Sequence, residues 1–386
     1  MFPKLPAKLY VGVIIIIALP GLSFLTWYFQ EKKPIDILIM NKSSVSANRV
    51  EHMAAFWVLN HERYIKRTGK TYRHKSDYYG FIPSGPAKNK EYFIKEIDEK
   101  KADSLATNYD AAWFVDTYGV QLEEWYAGND GGPASSMLYG GLDHGDFLFI
   151  RKMLERNKLV IAEFNFFASP TTVNIRRRVE QLTGVYWSGW SGRYYDNLNY
   201  RTNGEFPDWI VEQYETETGS PWIYSGPGII FINIDGSIVV LENEIHLDIE
   251  VPLVTTSKTN ARKYGVSERV HYPGRFDISY AADTASVLSF YEIYATSLGE
   301  QILDNHNIPS RFPAVSTGTG EGVFYYFAGT YSHIDISPVT SRLAGIRSFG
   351  FLKKDGNIAS KNKFFINYYY PLVSGIFKEY HSEITN

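Results

Sequence analysis

Two carboxylates in this chain directly follow apolar runs that have the form of buried strands. Asp116 comes after AAWFV (residues 111–115), and Glu163 comes after LVIA (residues 159–162). Ligands of an open α/β sheet bind outside the carboxyl ends of its strands. If these two strands are neighbours, both carboxylates face one crevice and can act together as acid and base. Asp116 and Glu163 are therefore the candidate catalytic residues, unless each caps a helix or pairs with an arginine.

A second group of residues has the composition of a ligand site. The segment VYWSGWSGRYYD, residues 185–196, interleaves aromatic rings with glycine and arginine. Aromatic faces stack on sugar rings or cations, and the arginine guanidinium offers a planar fork to a carboxylate or phosphate. The alternative is a twisted strand whose aromatic rings fill the core. The predicted ligand-binding residues in this segment are Trp187, Trp190, Arg193 and Tyr194, and Tyr118, shortly after Asp116, is added to them.

Several kinds of chemistry are excluded or unsupported by composition. The chain has no cysteine, which removes thiol catalysis, disulfides and cysteine-based metal sites. Its nine histidines are scattered, with no His-x-His or His-x-x-x-His pair, so we predict no metal site and no cofactor. A net charge of −3 gives no basic surface for nucleic acid, and no nucleic-acid partner is predicted.

The pattern along the chain predicts the elements that would position these residues. Apolar strands at 35–40, 111–115 and 159–162 alternate with helical patterns, which is typical of a parallel sheet covered by helices on both faces. The second half has many short strands, with Asp235-Gly236 as a hairpin signal. We expect an α/β fold with a flavodoxin-like parallel sheet, a β-rich antiparallel extension and a C-terminal helix.

An uncharged apolar run at residues 10–29 precedes this domain. About 20 helical residues cross the roughly 30 Å hydrocarbon layer of a bilayer, so the run predicts one transmembrane helix that acts as an uncleaved signal anchor. The alternative is a long secretion signal that is removed. The predicted organisation is a short cytoplasmic tail at 1–9, the anchor at 10–29 and an extracytoplasmic domain at 34–386. The lipid bilayer would then be a partner, and the protein would be a single-pass protein of the cell membrane.

A late motif carries a resemblance to a known family. GTGEGVFYYFAG, residues 318–329, lies shortly before His333, and with the first-half pattern it resembles the class I glutamine amidotransferase-like superfamily, in particular its trehalose-utilisation-like branch. The resemblance implies a nucleophile elbow at residues 163–169 and a role for His333. The absence of cysteine excludes glutaminase chemistry. Ser169 lacks a Gly-x-Ser-x-Gly elbow, and we interpret it as a helix cap.

Two classes of function remain open from the sequence, and a scaffold with a vestigial crevice is a third possibility. In the first, the domain binds a carbohydrate or envelope glycan, or a partner protein, in an aromatic crevice without amidotransferase activity. In the second, it is an envelope glycan hydrolase that uses Asp116 and Glu163. The absence of a recognisable catalytic motif favours binding. The separation of the two carboxyl groups distinguishes them, because glycosidases need about 5–5.5 Å or about 6.5–9.5 Å.

Overall fold

The computed structural model describes residues 7–84, 90–128, 135–346 and 356–385. The strands are β1 (Lys33–Pro34), β2 (Ile37–Asn41), β3 (Tyr64–Ile65), β4 (Tyr79–Ser84), β5 (Glu91–Lys95), β6 (Ala111–Asp116), β7 (Val120–Gln121), β8 (Met137–Tyr139), β9 (Leu159–Ala162), β10 (Val185–Tyr195), β11 (Gly228–Asn233), β12 (Ile238–Glu242), β13 (Leu253–Thr256), β14 (Arg269–His271), β15 (Arg275–Ala281), β16 (Val287–Glu292), β17 (Arg311–Thr317) and β18 (Val323–Phe327). The helices are α1 (Ala7–Tyr28), α2 (Met53–His61), α3 (Ala102–Asn108), α4 (Leu122–Tyr126), α5 (His144–Glu155), α6 (Val173–Thr183), α7 (Asp208–Thr218), α8 (Lys258–Tyr264), α9 (Ser297–Asn305), α10 (Lys361–Phe364) and α11 (Tyr370–Thr385).

A mixed sheet of ten strands forms the centre of the described part of the chain. Its order is β14-β13-β16-β17-β18-β9-β6-β2-β4-β5. The strands from β18 to β4 pair in parallel, and both flanks pair antiparallel. The prediction that residues 111–115 and 159–162 form neighbouring parallel strands is confirmed, since Phe114 is in register with Ala162.

The predicted fold class is wrong in placing a transmembrane helix before the domain, since no helix of the described residues is suited to cross a membrane. The expected parallel sheet and β-rich antiparallel extension form one mixed sheet, in which β13, β14, β16 and β17 continue the parallel strands. The reason is the pairing of β18, which lies parallel to β9 on one side and antiparallel to β17 on the other. One strand late in the chain thereby joins the two halves into a single mixed sheet.

The parallel strands are apolar throughout because both of their faces are covered. All residues of β9 are buried, as is typical of strands in parallel sheets. On one face, α5 packs against β6 and β9. On the other face the C-terminal helix α11 returns to the domain, and Phe377 contacts the ring of Trp113 with centroids 5.5 Å apart. The expectation of a C-terminal helix packed on the domain is confirmed.

A second sheet stands at the carboxyl end of the parallel strands. It is antiparallel, with the order β12-β11-β10-β15. β11 and β12 form the hairpin expected from Asp235-Gly236, where Gly236 has a φ of 95°. β15 is fixed beside the end of β18, because Phe276 forms a bridge with Gly329 and the backbone N–H of Asp277 donates to the carbonyl of Ala328. The second sheet therefore faces the edge at which the parallel strands end.

The predicted transmembrane anchor is not supported. Within the described part of the chain, no helix has the length and apolar character needed to cross a membrane. α1 does form, but its last turns dock onto the domain: Trp27 is 6% exposed, and its Nε1 donates to the carbonyl of His61 at 3.1 Å. Ser23 Oγ also donates to the carbonyl of Ala344 at 2.7 Å. This finding contradicts the single-pass helix at 10–29, the signal anchor and the membrane localisation.

Candidate ligand-binding site

A cavity of about 320 Å³ lies between the two sheets. Its floor consists of segments that follow β6 and β9, and one wall is the face of the second sheet. The start of α7 contributes a further side. The lining residues used below are Tyr118, Asn165, Ser169, Trp187, Ser191, Arg193, Tyr195, Trp209 and Arg275. The position agrees with the rule that α/β sheets bind ligands beyond the carboxyl ends of their strands.

Strand periodicity divides the predicted aromatic cluster between two faces. Side chains of a strand alternate between its two faces. Of the predicted ligand-binding residues, Trp187 and Arg193 on β10 line the cavity, and so does Tyr118 after β6. Trp190 and Tyr194 do not line it. Both are buried, at 6% and 8% exposure, and the Trp190 ring lies edge-on to another ring outside the cavity, that of His306.

Asp116 holds the turn after β6 in place. Its Oδ1 accepts hydrogen bonds from Ser43 Oγ at 2.7 Å and from the backbone N–H of Tyr118 at 2.9 Å. Ser43 Oγ in turn accepts from the N–H of Gly119 at 2.8 Å. Burial raises the pKa of Asp116 to about 6, against the lowering effect of these hydrogen bonds. The side chain does not line the cavity, so the geometry gives it a positioning part for Tyr118.

Glu163 is fully buried among donors from three parts of the chain. Its Oε1 accepts from Trp113 Nε1 at 2.9 Å and from the Tyr369 hydroxyl at 3.0 Å, and its Oε2 accepts from the N–H of Ser332 at 2.9 Å. Burial raises its pKa to about 7, and the hydrogen bonds oppose that rise. Glu163 and Asp116 have no hydrogen-bond partner in common, and neither lines the cavity. The expected shared crevice of the two carboxylates is therefore absent from the described cavity.

Asn165 is a lining residue that the sequence reasoning missed. It has a φ of 63°, within the left-handed region that asparagine tolerates better than most residues. Its carbonyl accepts from Thr117 Oγ1 at 3.0 Å, and its N–H donates to Asp277 Oδ2 at 2.9 Å. Within the described residues its side-chain amide makes no hydrogen bond, so the amide is available to a ligand. The signal in the sequence that could have identified Asn165 is the nucleophile elbow that the resemblance implies at residues 163–169.

Asp277 connects the two sheets beneath the cavity. Besides the N–H of Asn165, its carboxylate accepts from Ser191 Oγ at 2.6 Å and from the Tyr326 hydroxyl at 2.7 Å. It is completely buried, and burial raises its pKa. The bonds from Asn165 and Tyr326 fix the wall of the cavity to its floor, and the bond from Ser191 lies within the wall, so a ligand meets a prearranged surface.

Two further lining residues, Trp209 and Ser169, carry polar side-chain atoms. Trp209 Nε1 is buried and has no acceptor within the described residues. Ser169 is exposed and is not a helix cap, because α6 begins at Val173 with Thr172 in the cap position. The cap interpretation of Ser169 is wrong.

His333, implied by the resemblance, does not line the cavity. Burial lowers its pKa to about 3, and the nearby charges of Lys361, Arg275 and Arg193 lower it further. No three histidine or acidic side chains of the described residues come together in a way that could hold a metal ion. A neutral His333 beside three cations marks the region next to the cavity as electropositive.

Comparisons with known proteins give little further information. No family model matches the chain, and no curated protein matches it. Among solved structures, the chain is similar to a ThuA-like protein from Parabacteroides merdae ATCC 43184, with 11% identity, a TM-score of 0.36 and coverage of 76% of this chain and 79% of that chain.

Proposed function

We propose that this protein binds a carbohydrate in the cavity between the two sheets and has no amidotransferase activity. The observation that carries the proposal is the lining itself, in which the rings of Trp187, Tyr195 and Trp209 meet polar side chains within about 320 Å³. Sugars present both apolar ring faces and hydroxyl groups, and tryptophan and tyrosine combine apolar area with a polar atom. The volume is at the lower end of ordinary ligand pockets, which suits a small saccharide or the end of a chain.

Unused hydrogen-bonding groups support the same proposal. The buried Nε1 of Trp209 has no partner within the described residues, although Trp209 lines the cavity, and such a buried polar group costs roughly 1–3 kcal/mol. The side-chain amide of Asn165, another lining residue, also makes no hydrogen bond to the described residues. Sugar hydroxyls both donate and accept, so they can satisfy these groups.

The hydrolase alternative receives no support from the carboxylates. Glu163 is buried under Tyr369 and Trp113, and Asp116 is bonded to Ser43, so neither reaches a sugar in the cavity. Amidotransferase chemistry is excluded by the absence of cysteine from the whole chain. Binding without a covalent step is the function that these groups can perform.

The test is glycan-array binding by the full chain, followed by calorimetry on the best ligand. Trp187→Ala removes a lining ring, and we expect affinity to fall about tenfold, which corresponds to the loss of about 1.4 kcal/mol of stacking. Tyr186→Ala is the matched control, because Tyr186 is the neighbouring aromatic on β10, is 39% exposed and does not line the cavity. Absence of binding to any sugar by a folded protein, or equal losses in both variants, would contradict the proposal.

A further inference from the structure

Two arginines face each other across adjacent strands at the cavity. In the register of β10 and β15, Arg193 is the direct partner of Arg275, and both side chains line the cavity. Like charges directly opposite each other in an antiparallel pair destabilise the sheet. Nothing in the pairing of the two strands requires this arrangement, since neither arginine fills the core.

The negative charge near this pair is small. Arg193 Nη2 lies 3.2 Å from Glu205 Oε2, but the Glu205 side chain is 84% exposed, and such an ion pair contributes little. The Arg275 guanidinium has no hydrogen bond or ion pair within the described residues; only its backbone carbonyl accepts hydrogen bonds, from Tyr272 and Thr330. Asp116 is the other nearby acid, and its Oδ1 already accepts from Ser43 and Tyr118.

Further cations add to the positive charge. Burial lowers the pKa of Arg193, and the neighbouring Arg275 lowers it further. The pKa of Lys361 is also lowered, first by burial and then by Arg193 and Arg275. Burial holds His333 neutral by lowering its pKa, and these cations lower that pKa further. Arg193, Arg275 and Lys361 thus repel one another. Within the described residues, Glu205 is the one acid that forms an ion pair with any of them.

We propose that Arg193 and Arg275 hold an acidic group of the carbohydrate, so that the ligand is a sugar acid such as a uronate-containing oligosaccharide. The inference rests on the proposed function, since it specifies the charge of the same ligand. A guanidinium fork matches the two oxygens of a carboxylate, and two forks on neighbouring strands can grip one oxyanion from both sides. The lining residue Tyr195 lies beside this anion position, with the Arg193 guanidinium 4.3 Å from its ring centroid. A sulfate ester on a sugar presents the same oxyanion chemistry.

The test compares ligands that differ only in charge. Uronate oligosaccharides, their methyl esters and sulfated oligosaccharides are titrated into the full chain by calorimetry. We expect the acids to bind at least about tenfold more tightly than the esters, and Arg275→Gln to reduce this ratio of affinities to about one. Binding of the sulfated set alone identifies a sulfate rather than a carboxylate as the group held. Arg269→Gln is the matched control, since Arg269 is exposed on β14 and does not line the cavity.

A second measurement does not depend on finding the natural sugar. At equal ionic strength, sodium sulfate should raise the melting temperature of the unmodified protein more than that of Arg275→Gln, because sulfate relieves the repulsion between the two arginines. Equal binding of acids and esters with no effect of Arg275→Gln would overturn this inference and leave carbohydrate binding intact. No binding of any oligosaccharide, charged or neutral, would overturn both.

Discussion

The buried carboxyl group of Glu163 makes the stability of the protein depend on pH in a definite direction. Its pKa in the folded protein is about 7, against an ordinary value of 4.5. The folded protein therefore keeps this proton to higher pH than the unfolded chain does. By linkage, the free energy of unfolding falls as pH rises from about 4.5 to about 7, and the loss is complete above that range.

The size of the effect follows from the difference between the two pKa values. Between 4.5 and about 7, at about 1.4 kcal/mol for each pH unit, the folded protein loses about 3 kcal/mol. Glu163→Gln keeps the shape and the acceptor for Trp113 and Tyr369 but cannot ionise. We expect the stability of the unmodified protein minus that of Glu163→Gln to fall by about 3 kcal/mol between pH 4.5 and pH 7.5.

The assay is equilibrium urea unfolding at a series of pH values, followed by tryptophan fluorescence. Subtracting the free energy of unfolding of the variant cancels the contribution of other carboxyl groups with a raised pKa, such as that of Asp116, because both proteins contain them. Glu321→Gln at an exposed site is the control for replacing a carboxyl group by an amide. The hydrogen bond from the Tyr369 hydroxyl to Glu163 Oε1 lowers the pKa of Glu163, and Tyr369→Phe removes it. In this variant the pKa of Glu163 should rise, so the stability should keep falling to a higher pH.

A difference that stays constant from pH 4.5 to pH 7.5 would refute the reasoning. It would mean that the folded protein and the unfolded chain release this proton over the same pH range, so that the three donors fully offset the effect of burial. A difference that grows with pH would refute it as well, because that sign requires a pKa below 4.5.

Two further predictions concern stability. Lys42 Nζ lies 2.6 Å from Asp146 Oδ2, with side-chain exposures of 1% and 0%, so Lys42→Met should cost about 3–5 kcal/mol in urea unfolding by leaving Asp146 unpaired. The double variant with Asp146→Leu should recover much of that loss, and no recovery would contradict the charge explanation. Gly119→Ala should cost about 3 kcal/mol or more, because at a φ of 113° the new Cβ overlaps the backbone of Tyr139. Gly69→Ala, at a φ of 81° in open space, should cost only about 1–2 kcal/mol, and similar losses in both variants would contradict the steric reasoning.

Local features of the fold could be predicted from the sequence because short-range physics determines them. The apolar run at residues 159–162 forms β9 with the same bounds. The Asp235-Gly236 turn forms its hairpin, with Gly236 at a φ of 95°. The strand depends on side-chain periodicity, and the hairpin depends on a glycine that adopts a positive φ.

The candidate site was predictable only in part. The sequence placed Tyr118, Trp187 and Arg193 in a ligand site, and these residues line the cavity. Alternation along β10 puts Trp187 and Arg193 on one face, but periodicity alone does not say which face meets a cavity. That choice depends on the pairing of β10 with β11 and β15, which are far away in the sequence.

The sequence by itself determined the local elements, the absence of thiol chemistry and the concentration of aromatic residues near Arg193. Only the tertiary structure decided that β18 joins two halves of one mixed sheet, that Glu163 is enclosed by Tyr369 from the C-terminal segment, and that Arg275 faces Arg193. The physical reason is that helix and turn preferences act over a few residues. Strand order and register instead minimise the free energy of contacts between segments far apart in the chain, and no local pattern records those contacts.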